Sequence, residues 1–306
     1  GFESGTPGLG GDIVPTEWAE FLLDGSLGEE IVRPRARVYP MGAQTVKIPA
    51  WDGLDRSSGA VYGGFSGEWL GELEEATPVE GAVRNIELKA RKLAIYTAAS
   101  REVLQDGITF EQQLKSALVD SIGFFLDKAF LTGTGGTNDQ PLGVTGCTSA
   151  VTETRQETGE VCYTDLVNMY ASLYKGLPGR PVWICSHEVL PELLGMVDED
   201  NRLIWQPNAR DGAPSYLFGY PLIVTEKTGL DLGDTGDIML VNFRGYAVGL
   251  RAEVAIEASN APGWLKDRVD FRIILRVDGT DLFNGPIKTE SGKELSWAVL
   301  LGPKSD

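Results

Sequence analysis

The chain has 306 residues, of which 27 are Lys or Arg and 44 are Asp or Glu, so its formal net charge at pH 7 is −17. This length corresponds to one large domain or two ordinary ones, and it is enough to bury a core without disulfides or metals. The acidic balance argues against a dedicated nucleic-acid reader, which needs a basic stripe, and no apolar run is long enough for a transmembrane helix. The chain shows neither a signal peptide nor a CxxC pair, so its three cysteines predict reduced thiols and cytosolic synthesis.

The N-terminal segment is rich in Gly and Pro, which predicts an extended arm. A short helix is expected within it around Thr16–Leu23, with Thr16 as the N-cap. A basic patch follows, in which the cations are Arg33, Arg35 and Arg37. Because the same chain carries an acidic run further on, we expect these arginines to contact a neighbouring subunit.

A long connection lies between two predicted strands, residues 45–50 and 86–90, whose alternating polar and apolar side chains favour antiparallel pairing. Connections longer than about 15 residues are uncommon in compact domains and are usually functional or disordered. Aromatic side chains in residues 51–85 argue against disorder, so we predict a projecting β-loop that packs on something outside its own domain. The expected contact residues are Trp51, Tyr62, Phe65, Trp69, Glu68, Glu72, Glu74 and Glu75. The alternatives are a disordered insertion and aromatics that pack on their own domain.

The clearest helix is predicted over residues 109–132, where apolar side chains recur at helical spacing. Thr109 and Gln112 form a capping-box pattern, and Gly133 occupies the usual position after a helix end. Residues 133–146 are predicted to form a flexible link. Two further helices are expected, over Asp165–Tyr174 and after Ser186, and strands are expected over residues 181–185, 221–225, 238–242, 246–250, 254–257 and 269–277. Helices and strands mix without a βαβ rhythm, which indicates the α+β class.

The residues offer no combination typical of an active site. The only histidine, His187, is adjacent to Ser186, and neighbours on a helix do not face each other, so Ser186 is expected to be a helix cap. One histidine and three scattered cysteines give no zinc spacing, and the glycines at 133–136 lack the Lys-Ser/Thr of a P-loop. We therefore predict no catalytic residues, no metal and no cofactor.

Several motifs, in this order, resemble those of the major capsid proteins of tailed phages with the Hong Kong 97-like fold. The segment Asp127–Gly135 follows the family pattern D-x-A-F-L-x-G-x-G and is followed by Pro141–Val144. The other matching segments are Gly11–Pro15, Ser100–Asp106, Val197–Ile204, Leu217–Leu222, Gly236–Phe243 and Arg276–Gly279. Each motif alone is weak, but their order and spacing together are fairly specific and cover nearly the whole chain.

The resemblance implies a division of the chain. Residues 1–42 correspond to the N-terminal arm, 43–85 to the E-loop, 86–140 and 266–306 to the peripheral P-domain with its spine helix, and 141–265 to the axial A-domain. It also implies a structural protein that assembles through hexamers and pentamers into an icosahedral head around double-stranded DNA, in the virion, after assembly in the bacterial host cytoplasm. The implied partners are other copies of the chain, a portal, a scaffold or maturation protease, and a decoration protein. In many members a scaffolding segment before the arm is cut off, and Gly1 without a Met is compatible with that cut.

The sequence departs from the family at one point. Some members form covalent cross-links through an E-loop lysine, and residues 51–85 contain no Lys. An encapsulin-like shell and a gene-transfer-agent head share the implied fold and are alternatives to a phage head. An acidic, β-rich binding module such as an adhesin is the alternative from another class of protein.

Overall fold

The computed structural model describes residues 30–51, 55–56, 61, 64–72, 75, 81–100, 110–197, 200, 203–205, 215–259 and 267–304. In these ranges the α-helices are α1 (Phe110–Thr132), α2 (Tyr163–Ser172) and α3 (Leu190–Gly195). Short 3₁₀ helices cover Gly135–Asn138, Val144–Gly146 and Phe243–Gly245. None of the described helices is long and apolar enough to cross a membrane. The helix expected at residues 16–23 and the Thr109 cap lie outside the described residues.

Fourteen strands are described. They are β1 (Arg37–Pro40), β2 (Thr45–Trp51), β3 (Val83–Lys89), β4 (Arg91–Ser100), β5 (Val151–Thr154), β6 (Val182–Cys185), β7 (Tyr216–Leu217), β8 (Tyr220–Val224), β9 (Ile238–Val241), β10 (Tyr246–Ser259), β11 (Arg268–Asp281), β12 (Ile287–Lys288), β13 (Glu294–Leu295) and β14 (Ala298–Gly302). The predicted mixture of helix and strand is confirmed. The predicted antiparallel pairing of the strands that flank the long connection is also confirmed, since Val46 lies opposite Leu88 and Ile48 opposite Ile86.

One sheet has four strands in the order β1-β10-β11-β4. Strand β10 is continuous where the sequence predicted two strands, and its register against β11 shifts between Arg251 and Ala255. Residues 252–254 of β10 thus lie opposite the single residue Leu275 of β11, and this irregularity explains why the sequence suggested two separate strands. On one face, Ile273 and Leu275 of β11 are buried in the main hydrophobic core.

Helix α1 packs into that same core. Its residues Leu118, Ile122, Leu126 and Phe130 are buried, as its apolar spacing predicted, whereas Phe125 of the predicted stripe is 45% exposed. Burial of four large apolar side chains, at about 1.5–3 kcal/mol each, stabilises this long helix. The core therefore joins α1 to the inner face of the four-stranded sheet.

The segment after α1 differs from its prediction as a flexible link. Gly143 N donates to Gly133 O at 2.8 Å and Leu142 N donates to Gly279 O at 2.9 Å, so the segment folds back and packs against β11. A Cβ on Gly133 would lie 2.2 Å from the carbonyl oxygen of Ala129 and 2.4 Å from that of Pro141. Gly133 is thus required by this close backbone approach, whereas the sequence offered only its position at a helix end.

The second large sheet has six strands in the order β5-β14-β9-β6-β8-β7. Its faces carry a second core cluster that includes Trp183 and Leu193. A fully buried ion pair joins Arg155 to Asp237 at 2.6 Å beside this sheet. Strand β14 comes from the segment predicted with the P-domain, whereas β10, predicted with the A-domain, lies in the four-stranded sheet. Each large sheet therefore combines strands from both sides of the expected domain boundary near residue 265. The division into domains stays a prediction.

Candidate assembly surfaces

The long connection begins and ends on the two-stranded sheet of β2 and β3, where Trp51 lies opposite Val83. Near its start, Arg56 N donates to Lys288 O at 3.0 Å. The Arg56 guanidinium donates to the hydroxyl of Tyr174 at 3.0 Å, and its carbon lies 5.4 Å from the centre of the Tyr174 ring. A hydrogen bond and a cation–π contact therefore fix the root of the loop to the body of the same chain.

Two of the predicted loop aromatics contact each other. The rings of Trp51 and Phe65 pack edge to face with their centroids 5.2 Å apart. A Cβ on Gly81 would lie 2.8 Å from Phe65 and 2.9 Å from Trp51, so the backbone of Gly81 closes this pair. Trp51 and Phe65 are nonetheless 53% and 41% exposed. For these two side chains, packing within the loop and an exposed outer face occur together.

Trp69 has a different environment, because its side chain is 103% exposed in the free subunit. Leu70 beside it is 46% exposed, and the carboxylates of Glu68, Glu72 and Glu75 are exposed on the same stretch. Tyr62 and Glu74, also predicted as contacts, lie outside the described residues. A fully exposed indole surrounded by acids is an unusual surface for a subunit that functions alone, since exposed apolar groups mark interaction sites when they cluster.

The basic patch of the arm is held largely within the chain. Arg33 is 6% exposed and contacts Glu30 at 2.6 Å. Arg35 donates to the carbonyl of Ile31 at 2.8 Å and is half-buried, as is Arg37 in β1. Burial of Arg33 against Glu30 leaves little of its guanidinium for a neighbour. The predicted contact of Arg33, Arg35 and Arg37 with a neighbouring subunit stays a prediction.

A buried carboxylate connects this part of the arm to α1. Asp127 accepts hydrogen bonds from Ile31 N at 2.7 Å and from Val32 N at 3.0 Å. Lys227 contacts the same carboxylate at 2.8 Å. Sequence analysis identified Asp127 only as part of the family motif. Its contacts were not predictable, because the backbone groups that it binds are almost a hundred residues away. The structure shows that Asp127 anchors the arm to the helix.

The described residues give little basis for catalysis. Ser186 is buried, and its neighbour His187 is exposed and precedes α3, which begins at Leu190, so the expectation that Ser186 caps this helix is wrong. Burial raises the pKa of the Cys185 thiol to about 12, and burial also raises the pKa of Cys147. Such thiols are protonated at neutral pH and poor nucleophiles. Within the described part of the chain no three potential metal ligands cluster.

Comparison with known proteins identifies the class. The model of the phage capsid family matches residues 10–288. The chain therefore belongs to the phage capsid family. No curated protein sequence matches it.

Solved structures share its fold at low sequence identity. The chain resembles the capsid of an empty GTA particle with a TM-score of 0.69 and 18% identity, over 90% of each chain. It resembles the Microbacterium phage Oxtober96 protein with a TM-score of 0.62 and 16% identity, over 90% of this chain and 91% of the other. It also resembles a virus-like particle protein from Pyrococcus furiosus, with a TM-score of 0.53 and 11% identity over 94% and 98% of the two chains.

These findings confirm the predicted fold, α+β with the Hong Kong 97-like capsid architecture. They also confirm the predicted role of a structural major capsid protein, which forms an icosahedral shell by self-assembly and is located in the virion. The exposed loop is thus a feature of a protein whose working form contains many copies.

Proposed function

We propose that this chain assembles through hexamers and pentamers into a closed head around double-stranded DNA, and that it catalyses no reaction. The observation that carries the proposal is the loop tip, where a fully exposed Trp69 is flanked by exposed acids. Each copy in a closed shell meets several neighbours, so contacts that are modest singly add up through avidity. A net charge of −17 keeps unassembled subunits soluble and limits sticking of DNA to the inner wall.

In this proposal the loop residues Trp51, Phe65 and Trp69 contact a neighbouring subunit, together with Tyr62 and the acids Glu68, Glu72, Glu74 and Glu75. Arg35 and Arg37 contribute from the arm, and Arg33 stabilises the arm from within. Residues 51–85 contain no Lys, so the shell gains its strength from burial of the loop aromatics and charge pairing. A decoration protein is a further source of strength.

The proposed partners besides other copies are a portal, a scaffold or maturation protease, and the packaged DNA. A phage head is favoured because the matching family is the phage capsid family. A gene-transfer-agent head and an encapsulin-like compartment are the alternatives, and they differ in the contents of the shell. Extraction of nucleic acid from purified particles, followed by sizing, separates them, since an encapsulin-like shell carries protein cargo.

The first experiment is light scattering and electron microscopy of the particles that form when the chain is produced in a bacterial host. Closed megadalton particles are expected. A subunit that stays monomeric when the scaffold and protease of its own virus are supplied would contradict the proposal and favour a binding module.

The second experiment replaces the exposed indole. Trp69→Ala is expected to lower shell yield while the unassembled subunit keeps its stability, because the side chain makes its contacts only after assembly. Trp69→Phe, which keeps a large aromatic surface, is the matched control and is expected to retain most of the yield. Equal yields for the alanine variant and the unmodified chain would remove Trp69 from the proposed contact.

A further inference from the structure

A pocket lies where the C-terminal half of α1, the segment that follows it and the start of β4 meet. It holds about 310 Å³, which is within the range of about 300–1,000 Å³ that is typical of small-molecule sites. Its apolar lining consists of Leu93, Phe125, Leu126, Ala129, Pro141 and Val277. Concave apolar surface of this size is where proteins bind small organic molecules.

Phe125 is the lining residue whose position the sequence did not explain. It belongs to the predicted apolar stripe of α1, yet it is 45% exposed, whereas its neighbour Leu126 is 1% exposed. The ring of Phe124 packs edge to face against it, with the centroids 5.6 Å apart. Exposed aromatic surface is unfavourable in water, and a ligand that covers the Phe125 ring removes this cost.

Three cations, Arg91, Lys92 and Lys128, line the pocket together with these apolar groups. Arg91 is held in place, because its Nε lies 3.2 Å from the buried carboxylate of Asp278. Lys92 and Lys128 are exposed, and among the described residues no carboxylate pairs with either of them. Positive charge that the described part of the chain leaves unpaired therefore lies beside an apolar floor.

The described lining contains a single carboxylate outside this group, that of Asp139, which lies 3.6 Å from Nη1 of Arg91. The Asp139 side chain is 99% exposed, and ion pairs in such positions contribute little. Asp139 thus competes only weakly for Arg91. The pocket keeps a local positive charge in a chain whose net charge is −17.

We propose that this pocket binds an organic anion, in which a carboxylate or sulfonate is joined to an apolar body of about two aromatic rings. The apolar body covers Phe125 and Leu93, and the anionic group contacts Lys92, Lys128 and Arg91. The inference does not depend on the proposed function, because the pocket lies within one subunit.

Binding of such an anion combines two favourable contributions. The apolar body leaves water and covers apolar surface of the pocket. Charge-assisted hydrogen bonds to the ammonium and guanidinium groups stabilise the anionic end and fix its orientation. The bound anion also connects α1 to β4, and because it binds the folded chain, the melting temperature rises with its concentration.

The probe is 8-anilinonaphthalene-1-sulfonate, an anion whose fluorescence rises when its rings enter an apolar pocket. N-phenyl-1-naphthylamine has the same rings without the sulfonate and is the neutral comparison. Titration of the unassembled subunit is expected to show saturable binding of the sulfonate, about tenfold tighter than binding of the neutral amine. The melting temperature of the subunit is expected to rise as the sulfonate concentration increases.

Two variants assign the binding to the pocket. Lys92→Gln with Lys128→Gln is expected to weaken binding of the sulfonate about tenfold and to leave binding of the neutral amine unchanged. Phe125→Ala is expected to weaken binding of both compounds, because it removes apolar contact rather than charge. Lys293→Gln with Lys304→Gln, two exposed lysines elsewhere, is the control and is expected to change neither.

A third variant is expected to strengthen binding. Asp139→Asn removes the carboxylate that competes for Arg91, so affinity for the sulfonate is expected to rise about two- to fivefold. Asn accommodates the left-handed backbone of residue 139, whose φ is 51°, as Asp does. A gain of binding does not result from a loss of folding.

Thermal unfolding of each variant identifies any loss of folding. Equal affinity for the sulfonate and the neutral amine would overturn the inference, and so would binding that the lysine and Phe125 variants leave unchanged. Absence of saturable binding to the unmodified chain would overturn it as well. Shell formation is measured separately, so failure of the proposed function leaves this test unaffected.

Discussion

Trp183 and Trp297 lie in the body of the subunit and Trp51 and Trp69 lie on the loop, and the two pairs have opposite surroundings. Trp183 and Trp297 are 0% and 1% exposed. Their ring nitrogens donate to Leu217 O at 2.9 Å and to the hydroxyl of Ser149 at 2.8 Å. Trp51 and Trp69 are 53% and 103% exposed. One residue type thus stabilises the fold in the first region and stays accessible in the second.

This difference indicates a division of tasks within the chain. The body buries its indoles and satisfies their N–H groups, as a stably folded subunit requires. The loop leaves apolar surface in water, which is unfavourable for an isolated molecule and becomes favourable only when a partner covers it. In the proposed assembly, the stability of the subunit and the stability of the shell therefore depend on different tryptophans.

The largest effect is expected from Trp297→Ala. Loss of a fully buried indole lowers the free energy of unfolding by about 3–5 kcal/mol, through lost burial and the cavity that is left. The Ser149 hydroxyl also loses its donor, although it keeps its contact to Asp281 at 2.6 Å. Urea unfolding of the unassembled subunit, followed by far-UV circular dichroism, measures the change.

Trp69→Ala is the counterpart in the same assay, and its free energy of unfolding is expected to stay within about 0.5 kcal/mol of the unmodified chain. If the two variants lost equal stability, the loop and the body would not divide their tasks as inferred.

An intermediate loss of stability is expected from Gly133→Ala. Gly133 begins the segment that follows α1 and packs against β11. The added Cβ meets the backbone carbonyls of Ala129 and Pro141, which cannot move as a side chain can. A cost of about 1–3 kcal/mol is typical of such overpacking. Thermal unfolding of Gly136→Ala is the control, because a Cβ at Gly136 meets nothing within 4 Å. Equal melting temperatures for the two variants would show that the close approach at Gly133 is unimportant.

The smallest effect is expected in the reactivity of the three cysteine thiols, and it is measured on the unmodified chain. Cys162 is partly exposed, whereas Cys147 and Cys185 are buried. Burial and then the charge of Asp165 raise the pKa of Cys162, so less of it is thiolate at neutral pH and its alkylation accelerates as the pH rises. The pKa of Cys185 is raised to about 12, so this thiol is expected to react only after unfolding. Mass spectrometry after iodoacetamide treatment gives the order in which the three cysteines are alkylated. The urea-unfolded chain is the control in which all three cysteines react.

Elements with a strong repeating pattern were predictable from the sequence. Helix α1 and strand β11 have long apolar periodicities, and both lie where they were expected. Strands β1, β5, β7, β12, β13 and β14 were not predicted. Strand β14 is buried at every residue, so its sequence lacks the alternation that identifies a half-buried strand. Tertiary pairing, which a single sequence does not contain, determines such segments.

The assembly surfaces show a similar limit. The aromatic and acidic composition of the loop indicated a contact surface, but composition does not distinguish the nearly free Trp69 from Trp51, which packs on Phe65. The burial of Arg33 depends on Glu30 and on the way the arm lies against α1.

The position of β14 in the six-stranded sheet has a consequence for synthesis of the chain. This strand lies between β5 and β9 and pairs with both, so β5 has no partner in the sheet until residues 298–302 have left the ribosome. A nascent chain that ends before them carries two strand edges open to unwanted pairing. Since the loop tip lies more than two hundred residues earlier, it emerges long before the sheet can close. Emergence of residues 298–302 is therefore the step that turns a chain with an accessible loop into a subunit with a finished core.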